Sequence, residues 1–342
     1  MSKIKVLVVD DSPLFREFLI NGLRSDDEFE IVGTASDPYE ARDKIIQYNP
    51  NVMTCDIEMP RMDGIEFVTK LIPQYPIPVV MISSLSDKVF DALDAGAVDF
   101  VAKPAVSSKS EMQSFLENEL IPKIKSAAHA KLRCKPTVSE RKFLYNKNMD
   151  NSRFIIAIGA STGGTEAIYE VVKALDNNLP AIVVTQHIPD KFSAMFAERL
   201  NRQCKMKCKE ATDGEEVRPG YLYIAPGDRQ MKVLKNGSHY VLECRDKEKV
   251  NGHCPSVDVL FSSVAEAAGK DAIGIILTGM GADGAKGLLK MKEAGATTIG
   301  QDKNTSVVYG MPMEAYKMGA VKFQLPLNEI SKKIAQLLAR MR

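Results

Sequence analysis

Short runs in which nearly every residue is apolar recur along this chain, alternating with stretches of helical periodicity. A strand of that kind has no face to offer to water. A sheet built from such strands must be covered on both sides by helices, which is the parallel α/β arrangement. In residues 1–125 the runs are KVLVV (5–9), EIVGTA (30–35), NVMTC (51–55), PVVMIS (78–83) and DFVA (99–102). Between them, SPLFREFLINGL opens on a capping serine followed by proline, and SDKVFDALDAG closes on glycine; DPYEARDKIIQY repeats the helical pattern. Five strands with intervening helices predict a doubly wound domain whose ligand lies beyond the carboxyl ends of the strands.

The alternation resumes at residue 153. FIIAIGA, AIVVTQH (181–187), GYLYIAP (220–226), MKVLK (231–235), HYVLE (239–243), AIGIILTG (272–279) and TTIGQ (297–301) read as strands. GGTEAIYEVVKAL, KFSAMFAERLN, SVDVLFSSVAEAAG and DGAKGLLKMKEAG read as helices. KVLKNGSHYVLE carries Asn236-Gly237 between two strand runs, a hairpin signal. Residues 153–342 are therefore expected to form a second, mostly parallel α/β domain with an added antiparallel hairpin. Residues 126–152 hold six Lys or Arg against Glu140 and Asp150 with little periodicity, and read as a linker. Two domains also suit 342 residues, because one core rarely grows past about 250 to 300.

A formal net charge of +1 gives no bulk reason to expect nucleic acid or membrane as the main partner, and no compact helix-turn-helix is visible. No run reaches the roughly 18 apolar residues of a membrane span, and MSKIKVLVVDD has no export signal, so a cytoplasmic protein with reduced thiols is expected. Cys204 and Cys208 (CKMKC) have no compact second pair for zinc, since Cys244, His253 and Cys254 do not supply one.

The strand ends carry the chemistry. Asp10 and Asp11 end the first strand and Asp56 the third, strands that can be neighbours in such a sheet. Three carboxylates at one edge would repel, and a hard divalent cation such as Mg2+ relieves this. Lys103 leaves the fifth strand in VAKP and Ser83 ends the fourth, so each can bind a phosphoryl oxygen. These parts amount to a phosphoryl-transfer site with Asp56 as nucleophile. On VVDDS, CDIEMPRMDG, the serine of MISS and the lysine of VAKP, residues 3 to about 122 resemble the receiver domain of two-component response regulators, a flavodoxin-like fold. The resemblance implies that Asp56 is phosphorylated and that Asp10, Asp11, Asp56 and the main-chain carbonyl of Glu58 hold Mg2+. It also implies that Lys103 supports the phosphate and that Ser83 and Phe100 are the switch residues, phenylalanine standing where the family more often has tyrosine.

In the second half, GASTG (159–163) fits G-x-S-x-G directly after a strand and before a helix, the setting of a nucleophile elbow. Ser161 needs a base. His187 ends AIVVTQH at the same edge, and Asp283, in the loop TGMGADG, can orient it. His253 competes with His187 as base, and Asp258 and Asp302 compete with Asp283. Met280 and Met311 read equally as soft contacts at the site or as core. A dinucleotide loop is disfavoured, because Ser161 replaces the middle glycine of G-x-G-x-x-G.

On GASTGG, QHI, GYLYIAPGD, PSVDVLF, LTGMGADGA and YGMP, the chain resembles the chemotaxis protein-glutamate methylesterases, in which a receiver is joined to a Ser-His-Asp esterase. The resemblance implies Ser161 as nucleophile, His187 as base, Asp283 as orienting acid, and an oxyanion site made by the main-chain N–H groups of Thr162 and Met280. It implies methylated glutamates on the cytoplasmic helices of chemoreceptors as substrate, with receptor glutamine deamidation as a further activity. It further implies a chemotaxis histidine kinase as phosphodonor, a receiver that gates the catalytic site, and ester hydrolysis without a cofactor.

Overall fold

A computed structural model of the chain describes residues 3–84, 88–104, 108–130 and 151–340. They fall into two compact units, Met1–Cys134 and Lys135–Arg342.

The first unit is a parallel sheet of β1 (Ile4–Val9), β2 (Phe29–Ala35), β3 (Val52–Asp56), β4 (Val79–Ser83) and β5 (Asp99–Ala102), in the order β2-β1-β3-β4-β5. Every residue of β3 and β4 is buried, as strands covered on both faces require. The covering helices are α1 (Pro13–Arg24), α2 (Pro38–Tyr48), α3 (Gly64–Leu71), α4 (Val89–Asp94) and α5 (Lys109–Phe115), which passes through a π-helical turn into α6 (Ile121–Ala128). Ser12 caps α1 by accepting the Phe15 N–H at 3.4 Å, and Asp37 caps α2 by accepting from Tyr39 and Glu40.

Past residue 125, α6 continues through Ala128, because Ile124, Ser126 and Ala127 are buried. The middle of the expected linker, residues 131–150, lies outside the described residues.

In the second unit the strands are β6 (Ile155–Ala160), β7 (Ala181–Gln186), β8 (Lys207–Glu210), β9 (Glu216–Val217), β10 (Tyr221–Ile224), β11 (Lys232–Asn236), β12 (His239–Glu243), β13 (Ala272–Ile276), β14 (Thr297–Gln301) and β15 (Phe323–Leu325). Seven of them form a sheet in the order β15-β14-β13-β6-β7-β10-β8, parallel at every pairing. The hairpin β11-β12 joins β9 in a separate three-stranded antiparallel sheet. Asn236 pairs with His239, so the turn is Gly237-Ser238, one residue on from the signal read in the sequence, with Gly237 at φ +61°.

The helices are α7 (Gly164–Val172), α8 (Asp190–Gln203), α9 (Val257–Ala268), α10 (Ala285–Glu293), α11 (Met311–Lys317) and α12 (Leu327–Arg340). Val257, Phe261 and Val264 of α9 pack with Ile276 and Leu288 in the core. Burying a side chain of that size contributes about 1.5–3 kcal/mol.

The order of this sheet reverses beside β6. The chain goes from β6 to β7 and on to the β8 edge, then returns to β13 and runs out through β14 to β15. The crevice beyond the carboxyl ends of β6 and β13 is thus the topological switch point, where doubly wound sheets bind their ligands.

Candidate active site

Ser161 follows β6 at this switch point. Its backbone is held from both neighbouring strands: its N–H donates to the Thr278 carbonyl beyond β13 at 3.0 Å, and its carbonyl accepts from the Gln186 side chain of β7 at 2.9 Å. Thr278 is fully buried; its hydroxyl donates to the Thr162 carbonyl at 3.0 Å and accepts the Val308 N–H at 2.9 Å. Gly163 takes φ +72°, a left-handed conformation that lets the chain turn from the strand into α7, and a Cβ there would strike Val307. A Cβ at Gly279 would fall 2.7 Å from that of Ser161, so glycine is what lets the β13 loop approach the serine.

The N–H groups of Thr162, next to Ser161 in the chain, and of Met280, next to Gly279, donate to no described residue. They remain available for an oxyanion. The Met280 side chain is 43% exposed, whereas Met311 is fully buried in the core. Burial therefore separates two methionines that the sequence left equivalent.

His187 follows β7. The Ala160–Gln186 register, continued by the His187 N–H on the Ala160 carbonyl at 3.1 Å, places it beside Ser161. Its Nε2 lies 2.9 Å from Asp283 Oδ2. A carboxylate only accepts, so Nε2 carries the proton and Nδ1 is the basic nitrogen. Nδ1 is buried with no hydrogen-bond partner among the described residues. A nucleophile–base bond that is open in the unliganded enzyme and closes on substrate is common.

Asp283 is almost fully buried and has many donors: Val257 N–H at 2.7 Å, Ser256 Oγ at 2.7 Å, Asn251 Nδ2 at 2.7 Å and His187 Nε2. It sits at the N-terminus of α9, where the helix dipole favours negative charge. Burial pushes its pKa up, but His187, Asn251 and Ser256 outweigh that and hold the carboxyl well below the usual range. Of these partners the sequence marked only His187. Gln186 and Thr278 gave a legible signal as polar residues inside otherwise apolar strand runs. Asn251 and Ser256 gave none beyond turn and cap chemistry.

The competing residues have other places. The His253 ring stacks on His187, centroids 3.7 Å apart and planes 11° from parallel. Burial and the neighbouring His187 push its pKa down to about 4, so it is neutral at physiological pH. Asp258 accepts the Gly287 N–H of α10 at 2.6 Å and the Asn251 amide at 2.8 Å. Asp302 staples the loop after β14 by accepting from the Thr305 N–H and hydroxyl.

On the first unit's sheet edge, carboxylate oxygens of Asp10, Asp11 and Asp56 lie within 4.8 Å of one another. Lys103 Nζ bridges two of them, 2.9 Å from Asp10 and 2.5 Å from Asp56. Burial pushes Asp56 up to about 6 against the opposing pull of Lys103. The Glu58 N–H donates to Asp56 at 3.2 Å. Three hard oxygen donors, two of them buried and sharing one ammonium, fit a divalent cation. Ser83 ends the next strand, and Phe100 lies buried on β5 against Phe90, ring centroids 6.0 Å apart.

Comparison with known proteins agrees with both halves. Residues 156–334 match the CheB methylesterase family and residues 6–117 the response regulator receiver domain. A protein-glutamate methylesterase/protein-glutamine glutaminase 2 of Syntrophomonas wolfei subsp. wolfei is 53% identical over 341 residues, covering 100% of this chain and 99% of that protein. The protein-glutamate methylesterase/protein-glutamine glutaminase of Escherichia coli (strain K12) is 48% identical over 346 residues, covering 100% and 98%. The CheB methylesterase catalytic domain of Thermotoga maritima is 40% identical and covers 54% of this chain and 98% of its own, with a TM-score of 0.53. The chain belongs to the CheB methylesterase family and carries a response-regulator receiver domain ahead of its methylesterase domain.

Proposed function

We propose that this chain is a phosphorylation-regulated serine esterase that hydrolyses γ-glutamyl methyl esters on the cytoplasmic helices of chemoreceptors. The observation that carries the reading is the His187–Asp283 hydrogen bond of 2.9 Å at the strand end beside Ser161. His187 Nδ1 takes the Ser161 proton as the hydroxyl attacks the ester carbonyl. The N–H groups of Thr162 and Met280 hold the oxyanion, and Asp283 stabilises the imidazolium. Methanol leaves with the proton from His187. Water, activated by the same nitrogen, then frees the glutamate and regenerates Ser161. The same steps on a primary amide release ammonia, and the relatives' names include a glutaminase activity, which supports deamidation of receptor glutamines. The exposed Met280 beside Ser161 suits a helix surface as substrate.

In the receiver, Asp56 accepts a phosphoryl group from a chemotaxis histidine kinase. Asp10, Asp11, Asp56 and the Glu58 carbonyl would hold Mg2+, which would supply charge neutralisation for that transfer. Lys103 and Ser83 bind the phosphate, and repacking of Phe100 conveys the change, so that the receiver gates access to Ser161. The protein works in the cytoplasm; among the described residues no helix is long and apolar enough to cross a membrane.

The test is methanol release from methylated receptor membranes, with and without a small phosphodonor. The expected result is release that the donor increases and that Ser161→Ala abolishes. Release that persists in Ser161→Ala would reject the esterase assignment.

A further inference from the structure

The loop between β12 and α9 makes a two-residue turn. Val250 and His253 exchange both backbone hydrogen bonds at 2.9 Å, with Asn251 at φ +55° and Gly252 at φ +82° between them. Positive φ at both central residues is a type I′ turn, and Asn-Gly is its preferred pair. Nothing about the backbone therefore needs more than turn chemistry, yet the Asn251 side chain reaches inward. Its Nδ2 lies 2.7 Å from Asp283 Oδ1 and 2.8 Å from Asp258 Oδ2. Both partners are carboxylates, so the atom between them must be the amide nitrogen, and each of its two hydrogens has an acceptor.

We infer that Asn251 is a positioning residue for the His187–Asp283 pair: one N–H on each of two buried carboxylates keeps Asp283 ionised and aimed at His187 despite Asp258 beside it. The inference rests on His187 and Asp283 being the base and its orienting acid. Two carboxylates sharing a buried site tend to take up a proton, and the one that does so loses its charge. Asp283 must keep its charge, because a neutral acid neither stabilises the imidazolium nor fixes which ring nitrogen is protonated. Burial pushes Asp258 up, and the charge of Asp283 adds to this. The charged and titratable groups facing Asp283 are His187 after β7, His253 in the turn, Asp258 in the first turn of α9, and, through His253, Lys249. Asn251 is the only neutral side chain among the described residues that bridges the two acids.

Glycine also accepts positive φ, so Asn251→Gly removes the amide and keeps the turn. The experiment compares the pH dependence of kcat and kcat/KM for methyl-ester hydrolysis in full-length Asn251→Gly, Asp258→Asn and the double variant, with His187→Ala alongside. Loss of a hydrogen bond to a charged group predicts that Asn251→Gly lowers kcat about 10- to 100-fold with KM nearly unchanged. The acid limb of its profile should rise by about one pH unit. Neutralising the second acid with Asp258→Asn should restore most of the lost kcat in the Asn251→Gly background. An unmoved acid limb, or losses that simply multiply in the double variant, overturns the inference while leaving the base assignment intact. Activity retained by His187→Ala removes the base assignment, and the inference with it.

Discussion

At the carboxyl edge of the first sheet three acids gather around one ammonium; at the same edge of the second, a single acid, Asp283, gathers four donors. Asp10 and Asp56 share one ammonium with Asp11 beside them, and burial pushes Asp56 up to about 6. Asp283 alone receives an imidazole, an amide, a hydroxyl and a helix N–H, and is held well below the usual range. Backbone architecture is common to both edges, so it cannot explain the contrast; the balance of charge and donors does. In the proposed function Asp56 accepts a phosphoryl group and helps hold a cation, and such an acid is left electrostatically incomplete. In the same proposal Asp283 stays charged through every turnover, and such an acid is saturated.

The contrast breaks most visibly at Asp283. Asp283→Asn keeps the shape but lets the side chain donate to His187, favouring the wrong ring tautomer. The expected loss in kcat is about 10⁴, with folding retained by circular dichroism. Asp56→Asn tests the other edge: phosphodonor-dependent activation should vanish while basal methanol release stays within about twofold of the parent. Equal activation in the variant would disconnect the receiver from the esterase.

A smaller effect sharpens the roles of the stacked rings. His253→Phe preserves a flat ring against His187 and should cost less than about tenfold in kcat, whereas His187→Ala should cost several orders of magnitude. The reverse order would make His253 the base. The smallest effect concerns stability. The pKa of His253 falls from an ordinary 6.5 to about 4 in the folded protein. Between those values the unfolded chain binds a proton that the folded protein does not, so stability should fall as the pH drops through that window. His253→Phe should flatten the fall, as read from urea midpoints across pH 4 to 7.

Elements whose signal is local were legible in the sequence. The fully apolar runs became the buried strands β3, β4, β6, β7 and β13, and strand-end Asp56, Ser161 and His187 follow directly from them. The strand β8 (KCKE) was invisible because it lies at the sheet edge and only Cys208 is buried. The three-residue β15 lies at the opposite edge and is too short to show a period. By contrast, α12 went unmarked although its signal was present: Ile330, Ile334, Leu337 and Leu338 recur at helical spacing and are buried. The supports of Asp283 are different in kind. Asn251 and Ser256 look like turn and cap residues in NGHCPS, and only tertiary folding brings them to an acid near residue 280.

The central claim is that Ser161, His187 and Asp283 act as one chemical unit. The most direct test is methanol release by Ser161→Ala, His187→Ala and the double variant. Residues of one unit are strongly non-additive, so the double variant should be no slower than Ser161→Ala alone. A further loss in the double variant, multiplying the two single effects, would contradict the account.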